Sequence, residues 1–139
     1  MVITKTVALS SKGETDIIDI TSEAKRILAA TKLKNGVVTI FVPGSTGGLT
    51  TIEYEPGAVS DLKKAFERVA PRGANYEHNK RWGDGNGFSH VRASVLGPSI
   101  NIPFSGGSFM LGTWQQLIFV DFDNKPRSRE LIMQFVGEK

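Results

Sequence analysis

The 139-residue chain contains no cysteine, and this absence excludes disulfide bonds, thiolate metal ligands and a cysteine nucleophile. It also lacks any apolar run near the roughly 18 residues that a membrane-spanning helix needs. The N-terminal segment MVITKTVALSSKGETD has no hydrophobic region of the kind found in signal peptides. We therefore expect a cytoplasmic protein that makes no membrane contact.

A large excess of charge of either sign is missing as well. The 17 basic and 14 acidic residues give a net charge of +3 at pH 7, and the sequence has no lysine- or arginine-rich run. Proteins that bind nucleic acid carry dense basic patches, and those that bind single strands add exposed aromatic residues. We expect no nucleic-acid partner, and the small positive excess favours an anionic small molecule instead.

The chain does contain a series of short strand-like segments and two helical ones, within the length of a single domain, residues 1–139. Apolar residues recur at helical spacing after Thr21 and again from Pro56 to Val69. The segments of strand character are VITKTVAL, DIIDI, VVTIFVP, LTTIEYE, HVRASVLG, SINIPF, QQLIFVDFD and ELIMQFVG. This content predicts an α+β domain of about seven strands and two or three helices, whose strand edges favour an oligomer.

The chain has only two histidines, and both fall within the segment YEHNKRWGDGNGFSH. If SHVRASVLG is a strand, its side chains alternate between an apolar face and a polar face formed by His90, Arg92 and Ser94. Such a polar row, next to a glycine-rich loop that carries His78, suits the binding of an anion or a metal. The alternative is a solvent-exposed strand face beside a solvated loop.

Histidine nitrogens and carboxylate oxygens are common ligands of zinc. Glu53, in LTTIEYE, is the best candidate for a carboxylate beside His78 and His90, although an exposed strand position would explain it equally well. The sequence therefore raises the hypothesis of a divalent metal, zinc or magnesium, bound by His78, His90 and Glu53.

The turn PGSTGG follows a predicted strand and is similar to turns that bind anions through free backbone N–H groups. It is not a P-loop, because no Lys-Ser/Thr pair follows and the next segment is strand-like. A tight turn between two strands is the alternative. The candidate anion-binding residues outside the polar row are Gly44, Ser45 and Thr46 in this turn, Asn86 in GDGNG, Gln115 in LGTWQQ, and Arg127 in KPRSRE, where Arg127 and Arg129 would pair with phosphate or with neighbouring acids.

Three longer segments, YEHNKRWGDGNGFSHVRASVLGPS, GTWQQLIFVDFDNKPRSRE and FVPGSTGGLTTIEYE, together resemble the YjbQ-like family of small bacterial and archaeal proteins. The pattern SH-x-(K/R)-x-S-x-LG followed by GTWQ is the specific part of the resemblance, which runs from Thr4 to the C-terminus. It implies a two-sheet α+β sandwich that assembles as a homotrimer. It also implies a secondary thiamine-phosphate synthase, which joins a pyrimidine diphosphate to a thiazole phosphate and releases pyrophosphate.

The resemblance also assigns individual positions, with one departure. Many relatives read His-Thr-Ser-Ala where this chain has Gly44 to Gly47, so a third imidazole is missing and a metal would need help from water or a neighbouring subunit. The matching positions are Glu53, Tyr76, His78, Ser89, His90, Arg92, Ser94, Trp114 and Gln115.

Three functions are compatible with these residues. The first is an enzyme of the thiamine-phosphate synthase type, in which His90, Glu53 and Ser94 are catalytic and Arg92 and the PGSTGG turn hold phosphate. The second is a metal-assisted hydrolase that uses the same groups. The third is a non-catalytic trimeric module that binds an anionic metabolite.

Overall fold

The computed structural model describes all of residues 1–139, which form eight strands and four helices. The strands are β1 (Val2–Ser11), β2 (Asp16–Asp19), β3 (Asn35–Phe41), β4 (Gly47–Ile52), β5 (Ser99–Ser105), β6 (Ser108–Phe109), β7 (Gln116–Asp121) and β8 (Arg127–Glu138). The helices are α1 (Thr21–Thr31), α2 (Pro56–Val69), α3 (Glu77–Trp82) and α4 (Gly87–Leu96). None of the four helices is long and apolar enough to span a membrane.

The strands form two sheets in which all neighbouring strands are antiparallel. The larger sheet has the order β1-β8-β3-β5-β6, and the smaller one has the order β2-β7-β4. Strand β8 pairs with β1 over the whole length from Val2↔Val136 to Ser11↔Arg127. The predicted α+β fold with two sheets is confirmed, with eight strands instead of about seven and four helices instead of two or three.

Strand β7 is the central strand of the smaller sheet, and both of its faces are buried. Leu117 and Phe119 point into a cluster of 17 buried residues that joins the two sheets and α1. Ile118 and Val120 point to the other side, where α2 and α4 cover the smaller sheet. A strand buried on both faces needs a continuous apolar run, which explains the segment QLIFV. The layers are thus the larger sheet, the smaller sheet and a pair of helices.

The prediction of a strand for SHVRASVLG is wrong, because these residues form helix α4. Phe88 and Ala93 are buried and Leu96 packs against the cluster that includes Val120, so the buried positions recur at helical spacing. The β-branched residues Val91 and Val95, which favoured the strand, lie on the exposed side of the helix. Packing of the apolar side against the smaller sheet therefore overrides the local strand preference.

Arg92 holds α4 against the rest of the fold through contacts within the chain. Its side chain is almost fully buried and donates to the Ala70 carbonyl (2.9 Å), to Thr15 Oγ1 (2.8 Å) and to Glu67 Oε2 (2.5 Å). Its guanidinium also lies 4.9 Å from the centre of the Phe88 ring. These contacts connect α4 with the end of α2 and with the turn between β1 and β2.

Replacing Arg92 with leucine should reduce the free energy of unfolding by about 3 kcal/mol, the low end of the cost of breaking a buried ion pair. The low end applies because Glu67 is 56% exposed and stays hydrated without its partner. Urea denaturation measures this change. The exposed Arg81 of α3 provides the matched control, since Arg81→Leu should change stability by less than about 0.5 kcal/mol. Equal losses in both variants would contradict a special role for Arg92.

Candidate functional site

The two histidines lie side by side although they belong to different helices. His78 is on α3 and His90 on α4, and their ring centroids are 4.3 Å apart with the ring planes inclined by 39°. Both side chains are half-buried. The segment YEHNKRWGDGNGFSH therefore folds back on itself and forms an imidazole pair.

The start of α4 lies close enough to α3 to form this pair because residue 87 is glycine. A Cβ atom at Gly87 would lie 2.5 Å from Tyr76 Cβ and 2.9 Å from Asn79 Oδ1. The Gly87 N–H also donates to Asn79 Oδ1 at 2.8 Å. A side chain at this position would push the helices apart and separate the two imidazoles.

The pocket beside the imidazole pair lies between α4 and the turn that precedes β4. His90 and Ser94 are four residues apart and share one side of the helix. The open pocket has a volume of about 220 Å³. Its lining residues are Gly44, Ser45, Gly47, His90, Ala93, Ser94 and Pro98. The predicted anion turn and the predicted histidine therefore face the same space.

Burial is the main reason why the pKa of His90 is lower than the usual value for histidine, and the charge of His78 lowers it further. Asp84, Asp123 and the Ser45 backbone act in the opposite direction but do not cancel this shift. His90 is therefore neutral at pH 7 and has a nitrogen lone pair available to accept a proton.

Two buried polar atoms in this region have no hydrogen-bond partner in the chain, namely His78 Nδ1 and Asn86 Oδ1. His78 Nδ1 lies 3.3 Å from Asp84 Oδ1, but the two groups are not aligned for a hydrogen bond. Buried polar groups nearly always have partners. These two atoms are therefore left unsatisfied by the chain itself.

Two carboxylates that are not accessible to solvent lie at the end of β7, behind the turn. Asp121 accepts two hydrogen bonds from Arg129 (2.8 and 2.9 Å) and one from Ser11 (2.5 Å). Asp123 accepts from Arg127 Nε at 2.8 Å and from Asn86 Nδ2 at 3.3 Å. Each buried negative charge is thus paired with an arginine, as burial requires.

Thr46 connects this charged network to the turn. Its hydroxyl accepts a hydrogen bond from Arg129 Nη2 at 2.6 Å and lies 3.4 Å from Asp123 Oδ2. Its carbonyl accepts from the Phe122 N–H at 2.9 Å. Both its side chain and its backbone are therefore held, so the turn is positioned by the end of β7.

Arg92 is not in the pocket, contrary to the prediction. Residues two apart on a helix point about 200° away from each other, so Arg92 lies opposite His90 and Ser94. Its donors are bound to Ala70, Thr15 and Glu67. The predicted polar row of three residues therefore becomes a pair facing the pocket and one arginine within the fold.

Glu53 and Gln115 also lie away from the imidazole pair within one chain. Glu53 is exposed just beyond the far end of β4, about 20 Å from the turn at 3.3 Å per strand residue. Gln115 donates to Thr51 Oγ1 near that same end, at 3.2 Å. Glu53 comes directly after β4, and Gln115 comes directly before its partner strand β7. Both residues therefore lie at the end of this strand pair that is farther from the turn.

The predicted metal ligands His78, His90 and Glu53 therefore do not come together within one chain. No group of three histidine, aspartate or glutamate side chains is arranged to hold a metal ion. The residues of a single chain thus do not fit a three-ligand metal site.

Sequence reasoning missed Asp84, Asp121 and Asp123 as parts of the site. A signal for the latter pair was available, because the two aspartates are two residues apart and so are Arg127 and Arg129. Residues two apart on a strand project from the same face. The two pairs are therefore placed to match each other in charge.

Replacing His78 with glutamine should raise the pKa of His90, because the positive charge that opposes its protonation is removed. The pKa should stay below about 6.5, the ordinary value for histidine, because the burial of His90 is unchanged. An NMR titration of the imidazole signals measures it, and His90→Gln assigns them. A pKa of His90 that stays constant or falls in His78→Gln would show that the two rings do not interact.

The chain is similar in sequence to known proteins over nearly its whole length. A family model described as UPF0047 protein YjbQ-like matches residues 5–138. A UPF0047 protein of Methanothermobacter thermautotrophicus is 34% identical over 137 residues, which cover 99% of this chain and 94% of that protein. One of Archaeoglobus fulgidus is 33% identical over 128 residues, which cover 92% of this chain and 97% of that protein.

Solved structures show the same fold. A YbjQ-like protein of unknown function from Sulfolobus solfataricus superposes with a TM-score of 0.94 at 27% identity, covering 99% of both chains. A hypothetical protein from Aeropyrum pernix has a TM-score of 0.91 at 27% identity, covering 98% of this chain and 99% of that one. Because the family model and these relatives match nearly the full length, the chain belongs to the YjbQ-like UPF0047 family.

Proposed function

We propose that the pocket binds a phosphorylated or diphosphorylated small molecule and that the protein is an enzyme of the thiamine-phosphate synthase type. The observation that carries the proposal is the pairing of His78 and His90 beside the Gly44–Gly47 turn. A glycine-rich turn offers backbone N–H groups to an anion. The Arg127–Asp123 and Arg129–Asp121 ion pairs hold the structure behind this turn in place.

His90 supplies the acid-base chemistry in this proposal. It is neutral in the free protein, and a phosphate bound next to it would raise its pKa because a nearby negative charge favours the imidazolium. Binding would therefore bring a proton to the group that faces the phosphate. The charged ring would then hydrogen-bond the phosphate oxygens and donate a proton to the leaving group.

The reaction balances in electrons without an additional reactant. The carbon–oxygen bond of the pyrimidine diphosphate breaks, and its electron pair leaves on pyrophosphate. The thiazole nitrogen supplies the pair for the new carbon–nitrogen bond. Charge that develops on the departing pyrophosphate would be stabilised by His90 and by the N–H groups of the turn, and such electrostatic stabilisation is commonly the largest contribution in catalysis of this kind.

The divalent metal suggested by the sequence stays a prediction, as does a cytoplasmic location.

The test mixes the protein with a pyrimidine diphosphate and a thiazole phosphate and measures release of pyrophosphate. His90→Gln should lower kcat by about a hundredfold or more, the usual contribution of a general acid or base. Ser60→Ala, at an exposed position of α2, is the control that should retain the rate.

Binding of both substrates without turnover would favour the non-catalytic module over the enzyme. If calorimetry detected no binding of either phosphate compound, the whole proposal would be wrong. Release of phosphate from one substrate alone would point to the hydrolase instead.

We further propose that the protein forms the homotrimer through the uncovered face of the larger sheet. Cross-strand pairing aligns three rows on this face that contain no charged residue, and the charged residues of β8 on the same face, Glu130 and Glu138, lie in the rows on either side of them. Large uncharged surfaces are typical of interfaces between subunits. The rows are Val2, Val136, Val37 and Pro103; Thr4, Gln134, Thr39 and Asn101; and Thr6, Ile132, Phe41 and Ser99.

Phe41→Glu should disrupt this association, because it places a charge in one of the uncharged rows, where Phe41 is 39% exposed. Light scattering during size-exclusion chromatography should give about three times the 15.1 kDa of one chain for the original protein and a smaller mass for the variant. Val69→Glu, on an exposed position of α2, should leave the mass unchanged. A monomeric original protein would refute the proposal.

A further inference from the structure

We infer that residues 73–85, which include α3 and carry His78, form a flap that opens away from α4 and uncovers the side of His90 that His78 covers. The inference does not depend on the proposed function, because it concerns how the imidazole pair is reached and not what it binds. His90 lines the pocket but His78 does not. Opening of the flap would bring both rings within reach of one ligand.

The flap contributes nothing to the hydrophobic interior of the fold. No residue from 71 to 85 is buried, although Ala70 and Asn86 on either side are. None of the side chains of the flap belongs to, or packs against, either hydrophobic cluster, and its largest side chain, Trp82, is 66% exposed. Segments with few buried apolar contacts open locally at a low cost in free energy.

Few contacts hold the flap closed. Two hydrogen bonds join α3 and the loop that follows it to the rest of the chain. The Gly87 N–H donates to Asn79 Oδ1 at 2.8 Å, and Asn124 Nδ2 donates to the Asp84 carbonyl at 2.8 Å. The contact between the two imidazoles adds to them. Since one hydrogen bond contributes only modestly in water, the flap is weakly attached.

The closed flap also leaves one polar atom unsatisfied. His78 Nδ1 is buried without a hydrogen-bond partner, although Asp84 Oδ1 lies 3.3 Å away. Asp84 is itself part of the flap and would move together with His78. A buried polar atom without a partner is destabilising, and opening would return it to water. The closed state is therefore favoured by a small margin.

Both ends of the flap have glycines at which the backbone can turn. Gly73 has open space around it, since a Cβ atom there would meet nothing within 4 Å. At the other end, Gly83 and Gly85 both have a φ of +69°, a left-handed conformation that glycine adopts without strain. These positions provide the two hinges.

The chain is held in place immediately outside the two hinges. The guanidinium of Arg72 lies 5.0 Å from the centre of the buried Phe88 ring. Asn86 is buried and donates to Asp123 Oδ1 at 3.3 Å. The movement is therefore confined to residues 73–85, and the start of α4 stays in place together with His90.

Amide hydrogen exchange followed by NMR tests this inference. A helix of six residues is not stable on its own, so opening exposes the amides of Lys80 and Gly83, which donate to carbonyls of the flap. The buried Gly87 N–H, which donates to α3, should exchange together with them. All three amides should be at least about tenfold less protected than that of the buried Ala93 in α4.

Asn124→Ala should raise the exchange rates of the Lys80 and Gly83 amides about fivefold, because it removes one of the two hydrogen bonds and changes nothing in α3. Asn75→Ala is the matched control, since the Asn75 side chain is exposed and makes no hydrogen bond within the chain. It should leave the rates unchanged. Thermal unfolding shows whether each variant keeps the fold, and the original protein gives an answer by itself if Asn124→Ala unfolds.

Low concentrations of urea distinguish opening of the flap from unfolding of the domain. Opening exposes little apolar surface, so exchange in α3 should be nearly independent of urea, whereas exchange at Ala93 should accelerate. Equal protection and equal urea dependence in α3 and at Ala93 would overturn the inference, because the flap would then open only when the whole domain unfolds. Exchange of the Gly87 amide together with Ala93, and not with α3, would overturn it as well.

Discussion

The pairing of two buried carboxylates with two arginines at the end of β7 is the interaction on which the site depends. Strand β7 is covered on both faces, so Asp121 at its end and Asp123 just beyond it are buried away from water. Charges in such a place must be compensated. Their partners come from four separate parts of the chain, namely the end of β1, the turn before β4, the loop before α4 and the start of β8.

This requirement explains why residues distant in sequence form one pocket. The turn is held because Thr46 bonds with Arg129 and with the backbone after β7. The loop before α4 is held because Asn86 donates to Asp123, and α4 in turn carries His90 to the pocket. A network built for electrostatic compensation thus also sets the geometry around the imidazoles. Without the two carboxylates, the turn and the loop before α4 would not be held around a common pocket.

Much of the fold could be predicted from the sequence, because most of its strands and its two longer helices are strongly periodic. Helix α4 could not, since Val91 and Val95 favour a strand locally and only packing against the smaller sheet decides for a helix. That single difference moved Arg92 from the pocket to the interior. Glu53 was misjudged for another reason, as its distance from His90 depends on the direction in which β4 runs from the turn.

For the site, the sequence predicted the grouping of His78, His90 and the glycine-rich turn, because few residues of the right chemistry were available. It did not single out the aspartates, whose importance comes from burial at the end of a covered strand. Burial is a property of the assembled sheets and is not visible in VDFD alone.

Helix α4 has consequences for how this protein can change during evolution. One side of the helix carries His90 and Ser94 towards the pocket, and the opposite side carries Arg92 into its contacts with Ala70 and Glu67. The two polar side chains that face the pocket and the arginine that maintains the fold therefore project from opposite sides of the same element. If the pocket binds a ligand as proposed, substitutions of His90 or Ser94 would alter ligand preference at little cost to folding, and a lineage would keep the scaffold while its ligands change.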